Sequence, residues 1–153
     1  MGDRRSSAAG ALGALAIMLA CITLVSAEGS QLIATVERPA VVTAVAAPGP
    51  EDSLRDQRVV VSVTAFTPSR DGTVQGVVKV QKSEGGAEQE IGRFGMFPNA
   101  EFRAADPSQA QRFSFPLPKE LARVGPVKVT VQVMPLRGEG KDARLEIGGA
   151  EIK

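Results

Sequence analysis

The sequence contains no histidine, no tryptophan and no tyrosine, and its one cysteine is Cys21. Losing His and Cys removes the usual ligands for zinc, copper and iron, together with the usual general base and thiolate nucleophile. Catalysis would then rest on Asp, Glu, Lys, Ser and Thr, which work only in a recognisable constellation. The chain has no Ser-x-x-Lys, no P-loop, no Ca²⁺ loop and no G-x-S-x-G. Two carboxylate pairs, Glu88/Glu90 and Glu101/Asp106, offer the one enzymatic reading, and carboxylates on loops read more simply as solvated charge. The expectation is a protein with no catalytic residues, no metal site and no cofactor.

An excess of charge is missing too. Eighteen basic residues face 17 acidic ones, for a net charge of +1. The signs are interspersed, which describes a solvated surface and not a polyanion-binding face. With no basic stripe and no Trp or Tyr to stack on bases, nucleic acid is not expected as a partner. The six Phe are better spent in a core.

What is present begins with an export plan. Arg4 and Arg5 form a basic start, an apolar stretch runs from Ala8 to Val25, and Val25-Ser26-Ala27 places small residues before a cleavage point between Ala27 and Glu28. Residues 1–27 are therefore expected to be a signal peptide, and the mature protein to be periplasmic or extracellular. The competing reading is an uncleaved membrane anchor, since the apolar run approaches the ~20 residues that span a bilayer. Lipidation at Cys21 fits less well, because "ITLVSA" after it stays apolar, and "SSA" after Arg4-Arg5 lacks the bulky apolar residues of a twin-arginine signal. If Cys21 leaves with the signal, no disulfide is possible and the fold rests on packing alone.

Residues 28–57 read as a linker with a possible edge strand: "QLIATVERPAVVTAV" is broken by Pro39, and "AAPGPEDS" is rich in Pro and Gly. From Arg58 the pattern becomes strand-like. "RVVVSVTAF" puts Val59, Val61, Val63 and Ala65 on one face, with Val60, Ser62, Thr64 and Phe66 on the other. "TPSRDG" turns, and "TVQGVVKVQK" follows with Val74, Val78 and Val80 inward. "EIGRFGMF" is a third strand, Pro98–Gln111 a longer loop, and "RFSFPL" aligns Phe113, Phe115 and Leu117. "PKELARVG" predicts a short helical turn between proline and Gly125. The closing hairpin, residues 127–149, buries Val127, Val129, Val131 and Val133 and turns Lys128, Thr130 and Gln132 to water. Short, evenly spaced strands with turns between them predict an all-β antiparallel β-sandwich over 58–153, with one short helical turn.

The segments "RVVVSVTAF…GVVKVQKS", "IGRFGMFPN", "FPLPKELARVG" and "VKVTVQVMPLRGEGKDARLEIGGAEIK" follow one another over about Arg58 to Lys153. In that order they resemble the C-terminal (KFDV-type) domain of plant-type polyphenol oxidases, the tyrosinases. There a KFDV-type strand precedes an F-x-G-x-F strand, and an ELL-like turn leads into VVVTLVPR-x-G and TIGG-x-x-I. "VERP" at 36–39 resembles the V-x-RP linker that precedes the domain. The resemblance implies a β-sandwich that packs over a copper domain, shields its active-site entrance and keeps the enzyme latent. The dicopper centre of that family, with six histidines, lies in the other domain. This chain has no His, so neither copper nor oxidase activity carries over, and no gating residue is matched.

The resulting expectation is a freestanding, exported interaction module that covers or assists a separate copper oxidase or another exported protein. "FGMFPNAEF" is its expected contact region, through Phe94, Met96, Phe97 and Phe102. Against this stands the simpler arrangement in which alternate residues of the strand fill the sandwich and Phe102 pins the loop. The alternative function is a structural or ligand-binding envelope protein unrelated to oxidases. Membrane contact is expected only through an uncleaved signal, and the oligomeric state is not readable from the pattern.

Overall fold

The computed structural model describes residues 32–45, 57–122 and 125–153. The export segment, with Cys21 and the Ala27–Glu28 cleavage point, lies outside the described residues, as do 46–56 of the linker and 123–124 of the expected helical turn.

Among the described residues, nine strands form two antiparallel sheets packed face to face, as the alternation predicts. β1 (Leu32–Thr35), β9 (Arg144–Ile152), β3 (Arg58–Thr67) and β6 (Phe102–Arg103) lie side by side in the first, where β7 (Gln111–Pro116) also pairs with β3. The second runs β2 (Ala40–Ala44), β8 (Val127–Arg137), β4 (Thr73–Lys82), β5 (Gln89–Phe94). Between the sheets the valines stack: Val59, Val61 and Val63 from β3, Val78 and Val80 from β4, and Val127, Val129 and Val131 from β8 are fully buried. Each fully buried side chain of this size contributes about 1.5–3 kcal/mol relative to exposure. Valine suits the position, because its branched Cβ already favours the extended backbone.

Several details depart from the sequence reading. The segment expected as a linker with a possible edge strand supplies two edge strands, β1 in one sheet and β2 in the other, with the chain crossing between sheets at Val36–Pro39. The expected phase of β3 holds only as far as Val63. There the register with β9 shifts, so that Val63 faces Ile147 and Ala65 faces Glu146, leaving Thr64 as an extra residue. A single inserted residue reverses every later side chain. Phe66 therefore enters the core at 1% exposure, while Ala65 is buried outside the core cluster. In β4, Val77 lies on the outer face opposite Gln132 and Arg93, yet is fully buried by its neighbours. Thr130, expected in water, is buried too.

"PKELARVG" makes a turn closed on Pro118, whose carbonyl accepts from the amides of Leu121 (2.9 Å) and Ala122 (3.2 Å). The helical turn among the described residues lies instead at Pro107–Gln109, a 3-10 helix inside the expected loop. Asp106 caps it, accepting from the Ser108 amide at 2.8 Å, and Pro107 follows the cap, where a missing N–H costs nothing.

Candidate interaction site

The four apolar residues of the 94–102 segment do not form one surface. Phe94 ends β5 and points into the sandwich, 7% exposed, its ring stacked on Phe113 at 4.1 Å and tilted against Phe115 at 6.3 Å. Two glycines make room for these rings. A Cβ on Gly76 would lie 2.4 Å from the Phe94 ring, and one on Gly92 would lie 2.4 Å from the Phe115 ring. The aromatic cluster thereby closes the side of the sandwich where β5 and β7 are the edges. Phe94 is thus core, which corrects its expected place in a contact surface. Met96 and Phe102 are half-buried against the same core.

Phe97 is the exception, 92% exposed. It stands on the loop that carries the chain from β5 at the edge of one sheet to β6 at the edge of the other. That loop is fastened on both sides of the ring. Met96 and Phe102 pack half-buried against the core, the Ala100 amide donates to the Pro98 carbonyl at 2.8 Å, and the Ala104 amide donates to the Thr64 carbonyl at 2.7 Å. The Phe97–Pro98 bond is cis. A large ring held in water on a fastened loop keeps its apolar area available for burial against something else.

Just beyond, the Arg103 guanidinium makes a bidentate pair with Glu146, at 3.0 and 2.9 Å, across β3 and above Ala65. The Glu146 side chain is 6% exposed and that of Arg103 63%. The hydrogen bonds and charge of Glu146 push the Arg103 pKa up. With Ala104 bonded to Thr64, this pair holds the 104–110 loop over the outer face of the sheet. Beneath it runs a groove of about 480 Å³, lined among others by Ser62, Thr64, Asp106, Arg112, Gly148 and Glu151.

At the end where β3 crosses to β4 and β8 crosses to β9, Asp71 ties the two connections together. Its carboxylate accepts from the Ser69 hydroxyl, from the Glu139 amide at 2.8 Å and from the Lys141 amide at 3.1 Å. These bonds, that of Ser69 foremost, hold its pKa at about 2. Gly138, at φ +73°, sits so close that a Cβ would come within 2.3 Å of the Asp71 carbonyl oxygen.

Three of the four carboxylates considered for catalysis have other partners. Glu88 pairs with Lys79 at 3.4 Å and Glu90 with Arg93 at 2.7 Å, and Asp106 caps the 3-10 helix. Arg93 holds Glu90 ionised and Ser108 holds Asp106 ionised, both below the ordinary carboxylate range. A general acid at neutral pH needs the opposite shift. Among the described residues no three His, Cys, Asp or Glu side chains converge as metal ligands, and no helix is long and apolar enough to cross a membrane.

The sequence singled out Phe97, which the structure leaves exposed, but not the Arg103–Glu146 pair or the reach of Asp71. "DG" marked a turn, while the amides that Asp71 holds lie 68 and 70 residues away. No protein-family model matches the chain, and comparison with curated proteins finds no match.

Proposed function

We propose that this chain is a non-catalytic, exported β-sandwich that acts as an interaction module, covering or assisting a separate copper oxidase of the tyrosinase type. Phe97 carries the reading. A sandwich with a fastened loop presenting one bare aromatic ring suits insertion into a concave apolar site on another protein, the kind of anchor that dominates binding energy at interfaces. The resemblance of the strand order to the polyphenol oxidase C-terminal domain supplies the class of partner, and the apolar N-terminal segment supplies export. Affinity capture of the tagged, exported protein from its own cell envelope, followed by mass spectrometry, is the test. Enrichment of a histidine-rich copper oxidase by the wild type and its loss with Phe97→Ala are expected. Recovery of the same proteins by both would contradict the reading.

The groove under the 104–110 loop favours a second reading, a ligand-binding envelope protein. Its hydroxyls, Arg112 and Glu151 would meet a small polar ligand. Binding that survives Phe97→Ala but fails with Arg112→Ala would select it.

A further inference from the structure

β2 differs from the other edges of the sandwich. From Ala40 to Val45 the chain reads Ala-Val-Val-Thr-Ala-Val, with no charge, no glycine and no proline. It pairs with β8 in unbroken register, from Ala40 against Val131 to Ala44 against Val127. Among the described residues its other side has no partner strand. Val41 is 42% exposed and Val45 64%.

An edge of this kind is a template for another strand, and folded proteins guard such edges with charges, prolines or bulges. The other edges among the described residues are guarded or, at β6, only two residues long. β5 is bulged at Ile91 and carries the Glu90–Arg93 ion pair. β7 carries Arg112 and ends on Pro116. β1 is four residues long and runs straight into Glu37, Arg38 and Pro39.

We propose that β2 is an interface between copies of this chain, pairing antiparallel with β2 of a second copy about a two-fold axis at Val42. The strand's own sequence argues for that occupant. A two-fold pairing sets each residue against its mirror position, so a charge or bulky ring near the centre would meet its like. Here Val42 meets Val42, Val41 meets Thr43 and Ala40 meets Ala44, small against small and β-branched against β-branched, pairs that stabilise adjacent strands. The same pairing covers the exposed Val41 and places Val45 against Pro39. The sheet formed by β2, β8, β4 and β5 then continues unbroken into its copy. The inference goes beyond the module reading and uses the opposite side of the sandwich from the β5–β7 side that leads into the Phe97 loop.

Sedimentation of the full chain, produced in a host that exports it and purified as released, tests the proposal from low to high micromolar concentration. The wild type is expected to sediment as two chains. Val41→Lys with Thr43→Lys, both at exposed positions, is expected to sediment as one chain with unchanged circular dichroism. Val42→Cys, combined with Cys21→Ser, is expected to cross-link into a disulfide dimer under mild oxidation, since the axis sets residue 42 against itself. A wild type that stays one chain at the highest concentration overturns the proposal. So does a lysine variant that remains two chains, or a folded Val42→Cys variant that does not cross-link. Phe97→Ala leaves the wild-type mass unchanged in this account, so the two readings fail separately.

Discussion

Val131 is fully buried in β8, between Ala40 of β2 and Val78 of β4. A carboxylate there would have neither water nor a partner, and the cost of burying it rivals the ~5–15 kcal/mol that holds a whole domain together. Val131→Asp is therefore expected to abolish the cooperative melting transition, and a wild-type melting curve would show that Val131 is not core. Asp71 makes a pH-dependent contribution whose sign is fixed by its low pKa. Its folded-state value of about 2 lies below the ordinary 3.8, so the stabilisation is fully present above about pH 4 and lost as pH falls through the folded-state value. Asp71→Asn should lower the melting temperature at neutral pH, by a gap that narrows below pH 4 and closes near pH 2. A gap independent of pH would mean that the charge contributes nothing. Glu146 is nearly buried while Arg103 is largely exposed, so the two halves of the pair are not equivalent. Arg103→Met keeps an apolar stem over the carboxylate and removes its counter-charge, which is expected to destabilise the fold; adding Glu146→Gln should recover part of the loss. Additive effects in that double-mutant cycle would show that the pair is not coupled.

At the level of the elements, the turn between β8 and β9 is fixed from outside itself. Gly138 has φ +73°, and a Cβ there would strike the Asp71 carbonyl. Gly138→Ala should cost at least about 1–2 kcal/mol from the left-handed backbone alone, read as a lower denaturant midpoint with unchanged slope. An unshifted midpoint would mean that the turn relaxes freely. Much of the sheet content was legible because strand alternation is a local signal: the valine faces of β3 and β8 fall where the period of two puts them. What was not legible depends on partners far along the chain. The extra residue at Thr64 has no mark of its own in "VSVTAF", and only pairing with β9 reveals that Phe66 turns inward. Val77 and Thr130 are buried on an outer face because neighbouring strands cover them, which no single-strand pattern records. Pro39 read as a break between β-branched runs of a linker, whereas it marks the crossing from β1 to β2. At the candidate site, alternation within "FGMFPNAEF" already allowed Phe94 inside and Phe97 outside, but did not decide between that division and a shared contact surface. That division follows from β5 ending at Phe94, beyond which side chains no longer alternate.

At the scale of the whole molecule, the two sides of the sandwich differ in character. One is plugged by Phe94, Phe113 and Phe115 and leads into the loop that presents Phe97. The other ends in the uncharged strand β2. On this account the first side engages a different protein and the second a copy of the same one, a division that suits a module which assembles on its target. The most direct test of the central claim is the affinity of purified, exported wild type and Phe97→Ser for a tyrosinase-type copper oxidase from the same cells, measured by titration calorimetry with circular dichroism of both variants alongside. Saturable binding by the wild type is expected, with a loss of at least about thirtyfold in Phe97→Ser, since an anchoring aromatic at an interface is worth about 2 kcal/mol or more, with both proteins equally folded. Equal binding by the two, or no binding by either, would contradict it.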